Sequence, residues 1–210
     1  MFVREHMSTS PININPATPI LEALNMMKKQ KIRHLPVVEK GRLAGLVTER
    51  TLLTVSPSPA TTLSVFEINY LMSKMVVKEV MIKQPIVIAP TASIEEAALI
   101  MREHKVGCLP VVENGQLVGI ITQTDVFEAM IKIFGLRKAG TRLVVETGDH
   151  VGALADILAL VREHNINVIG VACLEKESNK FEIMLRLSTV EPEALIQDMK
   201  QHEYNIISVS

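Results

Sequence analysis

Residues 109–122 read LPVVENGQLVGIIT, and residues 35–48 read LPVVEKGRLAGLVT. Each stretch is an apolar run opened by Leu-Pro, a polar turn with a glycine, and a second run rich in Val, Ile and Leu. Two β-prone runs joined by such a turn are the signature of a hairpin. The reading predicts strands over Leu35–Val38 and Leu43–Val47, and again over Leu109–Val112 and Leu117–Ile121. Outward from this core the match continues without gaps. Val3–Leu53 aligns with Val77–Phe127 at a constant offset of 74 residues, with about 21 of 51 positions identical. Met7 falls on Met81, Pro11 on Pro85, Pro16 on Pro90, Gly45 on Gly119 and Thr48 on Thr122. Self-similarity of this extent at one period marks a duplicated structural unit.

Ahead of each hairpin the apolar spacing changes to that of a helix. Ile94, Ala97, Ala98 and Met101 share one helical face in the second copy, and Ile20, Ala23, Leu24 and Met27 repeat it in the first. Ser93 with Glu96 three residues on is a capping box. A closing helix begins at Thr48 or Thr122. About 50 residues bury too little surface to stand alone, so the copies are expected to share an interface across a pseudo-twofold axis. Between them, SPSPATT (residues 56–62) reads as a loop, and Leu63–Met75 as a helix with Leu63, Phe66, Tyr70 and Leu71 on one face. The organisation is therefore repeat 1 over 1–60, a linker helix over 61–76 and repeat 2 over 77–134.

After a Gly-bounded basic linker, 135–140, the pattern changes again. Thr141–Glu146 reads as a strand, 152–164 as an amphipathic helix, and Asn167–Leu174 and Lys180–Leu187 as strands joined by the turn Glu175–Asn179. Glu193–His202 reads as a helix opened by Pro192, and Ile206–Val209 as a last strand. The order βαββαβ over 141–210 predicts a ferredoxin-like sandwich. The fold class is α/β (α+β).

The net charge is −1, with no basic stripe and only 3% aromatics, which argues against a nucleic-acid partner. No run of about 18 apolar residues occurs, so no membrane span is expected. The N-terminal MFVREHMSTS lacks a signal-peptide core. Cys108 and Cys173 show no framework spacing and read as reduced thiols of a cytoplasmic protein. The six histidines form no H-x-x-x-H and the cysteines no C-x-x-C, so no metal site is expected. No Walker loop, G-x-S-x-G or G-x-G-x-x-G is present, and no catalytic residues are expected.

The repeated LPVV strands, the repeated Gly45 and Gly119, and the run Gly119-Ile120-Ile121-Thr122-Gln123-Thr124-Asp125, a G-x-x-T-x-x-D pattern, together resemble a pair of CBS domains. Thr122 lies where a strand gives way to a helix, whose first N–H groups lack internal partners and suit a phosphate. Its hydroxyl has a further hydrogen bond to donate. Asp125, one turn on, suits the paired hydroxyls of a ribose. The same Thr-x-x-Asp is also close to a capping box that needs no ligand. Repeat 1 keeps Thr48 but has Thr51 in place of the acid, so its site is expected to be the weaker. Arg50 is either a phosphate partner or a solvated arginine. The resemblance implies that a purine lies against Lys83, Pro85, Val87, Cys108 and Pro110, with Arg33 and His34 at the matching stretch of repeat 1. His34 reads equally as a phosphate donor or as a packed neutral residue.

The C-terminal pattern, with Asp149-His150-Val151-Gly152-Ala153-Leu154 between first strand and first helix, resembles an ACT domain. That implies a ligand loop at Asp149, His150, Gly152 and Leu154, suited to an amino-acid carboxylate. A plain strand-to-helix turn capped by Asp149 is the other reading, and dimerisation the other role. The run SPSPATTLSVFEINYLMSKM, together with this domain, is similar to the acetoin-utilisation protein AcuB family. The resemblances imply a non-catalytic regulatory protein that senses an adenosyl nucleotide (AMP, ADP or ATP). They imply a homodimer and a client enzyme in acetyl-CoA or acetoin metabolism. A ligand-free structural adaptor is the alternative.

Overall fold

The computed structural model describes residues 1–55, 64–176 and 179–210. The loop expected over 56–62, Leu63, the side chain of Leu71 and the middle of the turn Glu175–Asn179 lie outside the described residues. The chain divides into two compact units, Met1–Phe127 and Glu128–Ser210.

In the first unit, β1 (Ser8–Thr9) precedes α1 (Ile20–Gln30), β2 (His34–Glu39), β3 (Arg42–Thr48) and α2 (Glu49–Thr54). After α3 (Val65–Lys74) the order repeats, with α4 (Val77–Val80), α5 (Ile94–Glu103), β4 (Cys108–Glu113), β5 (Gln116–Thr122) and α6 (Gln123–Ile133), whose residues from Glu128 on belong to the second unit. Both hairpins form as the sequence predicts. Lys40 and Gly41, like Asn114 and Gly115, adopt positive φ, which matches the turn to the right-handed twist of the strands. Ser93 caps α5, its hydroxyl oxygen accepting from the Glu96 N–H at 3.0 Å. Phe66 and Tyr70, expected on one face of the linker helix, are 87% and 63% exposed.

Each half is completed by the leading segment of the other repeat. Ser8 and Thr9 pair antiparallel with Ile120 and Gly119 on β5, and Ile82 pairs with Leu46 on β3. The bonds that fasten these segments come in twos, related by the 74-residue offset. The Val3 N–H donates to Ala92 O at 2.9 Å and the Val77 N–H to Thr18 O at 2.9 Å. Arg4 donates to Pro90 O at 3.0 Å and Lys78 to Pro16 O at 2.9 Å. Ile94 donates to Met1 O at 3.1 Å and Ile20 to Met75 O at 3.0 Å. Apolar burial follows the same exchange. The core of Ile14, Ile20, Ala23, Met27, Leu35, Val37, Val47 and Leu52 is closed by Val77 from the other repeat. Val3 is likewise fully buried, and a side chain of that kind contributes about 1.5–3 kcal/mol when removed from water.

The exchange explains the repeated glycine. A Cβ on Gly45 would lie 2.7 Å from Met81 Sδ and 2.8 Å from Ile82 O. One on Gly119 would run into Met7 Sδ and sit 3.1 Å from Ser8 O. Only a residue without a side chain lets the exchanged strand lie this close. Leu46, Cys108 and Ile120 form a small cluster that joins the two hairpins.

The second unit contains β6 (Thr141–Gly148), α7 (Ala153–Glu163), β7 (Val168–Lys176), β8 (Lys180–Leu187), α8 (Glu193–Gln201) and β9 (Asn205–Val209). Its sheet is antiparallel throughout, in the order β7-β8-β6-β9, which is the ferredoxin-like arrangement. Leu143, Val145, Ile183, Leu185 and Leu187 pack on Ile157, Val161, Leu195 and Met199 of the two helices. Among the described residues no helix is long and apolar enough to cross a membrane.

Gly45→Ala and Gly119→Ala are expected to lower the heat-unfolding midpoint, each by an overpacking cost of about 1–3 kcal/mol. Gly45→Ala is expected to be the worse, because it meets a backbone oxygen at 2.8 Å, whereas at Gly119 the nearest obstacle is a flexible methionine end and the backbone oxygen lies at 3.1 Å. Equal midpoints for the two variants would contradict this reading.

Candidate functional site

The two hairpins end side by side with two helix starts. In the second repeat β4 and β5 run to the pair Cys108–Thr122, and the Gln123 N–H that opens α6 donates to Gly107 O at 3.1 Å. The first repeat does the same, with the Glu49 N–H donating to Arg33 O at 2.9 Å.

The two helix starts are capped in opposite senses. In repeat 1 the Thr48 Oγ accepts from the Thr51 N–H at 3.1 Å, and the two hydroxyls lie 2.9 Å apart. In repeat 2 the Asp125 carboxylate is the acceptor. Its Oδ2 takes the Thr122 N–H at 2.8 Å and the Thr122 hydroxyl at 2.7 Å. The Thr122 hydroxyl proton therefore goes to Asp125, not to a phosphate, and the threonine acts by fixing the carboxylate. Asp125 Oδ1 accepts from none of the described residues, and Thr124 and Asp125 stand in the first turn of α6, where N–H groups have no acceptor within the helix.

His34 opens β2, opposite Thr48, and reaches across to the second repeat. Its Nε2 lies 3.4 Å from where a Cβ on Gly107 would stand. The imidazole is partly buried, with neither ring nitrogen bonded to a described residue. Burial, and after it the Arg33 charge, hold it below the ordinary histidine value. Sequence reasoning misses Gly107, although a signal for it exists: it is the glycine that faces an arginine, Arg33, in the repeat alignment.

The expected purine-facing positions divide into two kinds. Lys83 and Val87 are exposed, and Pro85 is partly buried. Cys108 and Pro110 are buried. The Cys108 side chain turns into the cluster with Leu46 and Ile120, and burial pushes its thiol up to about 12. The Pro110 carbonyl is engaged by the Ile88 N–H at 3.1 Å, which brings Val87 alongside β4. Arg33 and Arg50 are exposed, and neither forms an ion pair within the described residues.

In the second unit Asp149, His150, Gly152 and Leu154 line one open groove of about 430 Å³, with Ala153, Ala155, Leu158 and Phe181. Gly152, at φ +99°, is the N-cap of α7, and no side chain caps that helix. The expected Asp149 cap is thus replaced by glycine. Asp149 is held from behind instead, its N–H donating to Asn179 O at 2.9 Å. His150 lies between Gly148 O at 3.0 Å and Asp156 Oδ2 at 3.3 Å. Among the described residues no three His, Cys, Asp or Glu side chains gather as a metal set.

This doubled hairpin-and-helix with exchanged leading strands defines a class. The CBS domain family matches residues 3–58 and 77–132, and the chain belongs to that family. A structure of a Vibrio cholerae chain provisionally assigned as an acetoin utilization protein (AcuB) is 32% identical at a TM-score of 0.54, over 65% of this chain and 95% of that one. The structure of CBSX2 in complex with AMP is 29% identical at a TM-score of 0.53, over 63% of this chain and 97% of that one. Inosine-5'-monophosphate dehydrogenase of Korarchaeum cryptofilum is 32% identical over 170 residues, which are 75% of this chain and 33% of that enzyme. The chain therefore spans about a third of that relative's length.

Two outcomes follow. A thiol reagent at pH 8 is expected to label the exposed Cys173 quickly and the buried Cys108 only on unfolding. Two fast thiols would contradict the interface packing. The lowered His34 value gives a sign for stability. The neutral form suits the fold, so stability is full above the unfolded value of about 6.5 and falls as pH drops below it. The wild type is expected to lose more of its unfolding midpoint between pH 7 and 5.5 than His34→Gln.

Proposed function

We propose that the chain is a non-catalytic regulatory protein whose CBS pair binds an adenosyl nucleotide of the AMP, ADP or ATP class. The observation that carries this reading is the Asp125 carboxylate, fixed by Thr122 in the first turn of α6 with one oxygen unengaged. The free oxygen suits a ribose hydroxyl, and the helix start suits a phosphate. The AMP complex of CBSX2, a related chain, supports the ligand class. Cys108 and Pro110 contribute shape here rather than side-chain chemistry, with Val87, Pro85 and Lys83 along the open side. Thr48 with Thr51 makes the weaker second site, with Arg50 at its helix start, while Arg33 and His34 stand where the two hairpin ends meet, His34 against Gly107 of the second repeat.

The second unit serves as an ACT-like element, for dimerisation or for an amino acid in the groove at Asp149, His150, Gly152 and Leu154. The uncapped start of α7 facing that groove supports the ligand role. A homodimer is supported by the exposed apolar residues Leu53 and Phe127, which occupy equivalent positions of the two repeats. Likeness to the Vibrio cholerae structure supports a role in acetoin utilization, and the proposal extends it to a cytoplasmic protein of acetoin or acetate carbon metabolism that acts on a client enzyme. The rival is a ligand-free adaptor.

Calorimetry with AMP and ATP on the intact chain and on Asp125→Ala separates the two. Binding is expected in the wild type, with a loss of tenfold or more in the variant, since a hydrogen bond to a charged group contributes about 1.5–3 kcal/mol. An unfolding scan shows that the variant is still folded. No heat from either nucleotide on the wild type, or equal affinity for the variant, would favour the adaptor.

A further inference from the structure

We infer that His34, delivered from the first repeat, takes up a proton when a 5'-phosphate binds at the second repeat's helix start, so that nucleotide binding is coupled to pH. The inference rests on the nucleotide reading above and adds to it a regulatory input. Its basis is geometric. His34 belongs to β2 of repeat 1, yet its ring lies against Gly107 of repeat 2. Gly107 in turn accepts the N–H of Gln123, the first residue of α6. The imidazole thus stands next to the positive end of α6, where an anion is favoured, and both its nitrogens are free of protein partners among the described residues. A partly buried, unbonded imidazole in such a place is a donor without an acceptor.

The charges around it determine what happens. Arg33 precedes it on the chain, Glu49 follows its cross-strand partner Thr48, and Asp125 lies on α6. Cys108, beside Gly107, stays a neutral thiol. No carboxylate lies within ion-pair distance of His34 among the described residues, while burial and Arg33 disfavour the imidazolium in the empty site. A phosphate reverses this balance. It offsets Arg33, accepts from the ring, and brings the charge that makes the protonated form the stable one. By linkage, a ligand that raises a proton affinity binds more tightly as pH falls through the range between the free and bound values. Adenosine has no phosphate and lacks the effect. The second repeat delivers no such group to repeat 1's helix start, because the position equivalent to His34 in the alignment is Cys108.

The test uses the full chain. AMP and adenosine are titrated calorimetrically at pH 8.0, 7.2 and 6.5, in two buffers of different ionisation heat, against wild type and His34→Gln. For AMP the wild type is expected to take up a fraction of a proton beyond that of the variant. It is also expected to gain about two- to fourfold in affinity relative to the variant between pH 8.0 and pH 6.5, since the full tenfold gain of a proton held ten times more tightly is reached only well below the free value. The comparison with the variant cancels the titration of AMP itself. Adenosine is expected to show no difference. Equal proton uptake by wild type and His34→Gln, with AMP bound to both, overturns the inference and leaves the nucleotide reading standing. Absence of AMP heat from the wild type overturns the nucleotide reading and this one with it. An NMR titration of the His34 ring in the wild type needs no variant. Its midpoint is expected to rise on adding AMP, and an unmoved midpoint contradicts the proposal.

Discussion

The close approach of one repeat's leading strand to the other repeat's hairpin, over Gly45 and Gly119, is the constraint on which the first unit depends. It places Met81 and Ile82 on β3, and Met7, Ser8 and Thr9 on β5. Through Val3 and Val77 each repeat's start is buried with the other repeat. The structural halves are therefore not the contiguous sequence repeats. A chain built this way holds its two hairpin ends together, and that juxtaposition brings His34 against Gly107. Without the exchange, His34 and Gly107 would have no reason to meet.

The duplication is symmetric in backbone and asymmetric in chemistry. Among the candidate site residues the basic side chains Arg33, His34 and Arg50 come from repeat 1, while their equivalents are Gly107, Cys108 and Thr124. The acid comes from repeat 2, where Asp125 stands in place of Thr51. Inversion of the cap follows from that one difference. A carboxylate accepts and cannot donate, so Thr122 must turn its hydroxyl toward Asp125, whereas Thr48 is left to accept from a backbone N–H. On the proposed function, a sugar on the acid and a phosphate directed to the basic side chains would give a ligand one orientation across the pair.

Much of this is legible in the sequence. The hairpins, their glycine turns and the capped start of α5 follow from local chemistry, and the βαββαβ order of the second unit from apolar periodicity. Three things are not. The exchange of leading strands is a tertiary event with no local signal, and the repeated glycines hint at it only once their neighbours are seen. The direction of the Thr122–Asp125 bond depends on rotamers, which spacing does not specify. Aspartate is a common cap, which favours Asp149 at the start of α7, but Gly152 takes the left-handed conformation there and Asp149 is held by Asn179 instead. The exposed aromatics of α3 show the same limit, since a shared helical face does not specify what covers it.

The most direct test of the whole account is a crystal structure of the chain grown with AMP. The account predicts the ribose hydroxyls on Asp125, with its bond to Thr122 retained, and the phosphate at the start of α6 within reach of His34. AMP bound elsewhere, or an Asp125 carboxylate with both oxygens closed off by the protein's own groups, would contradict it.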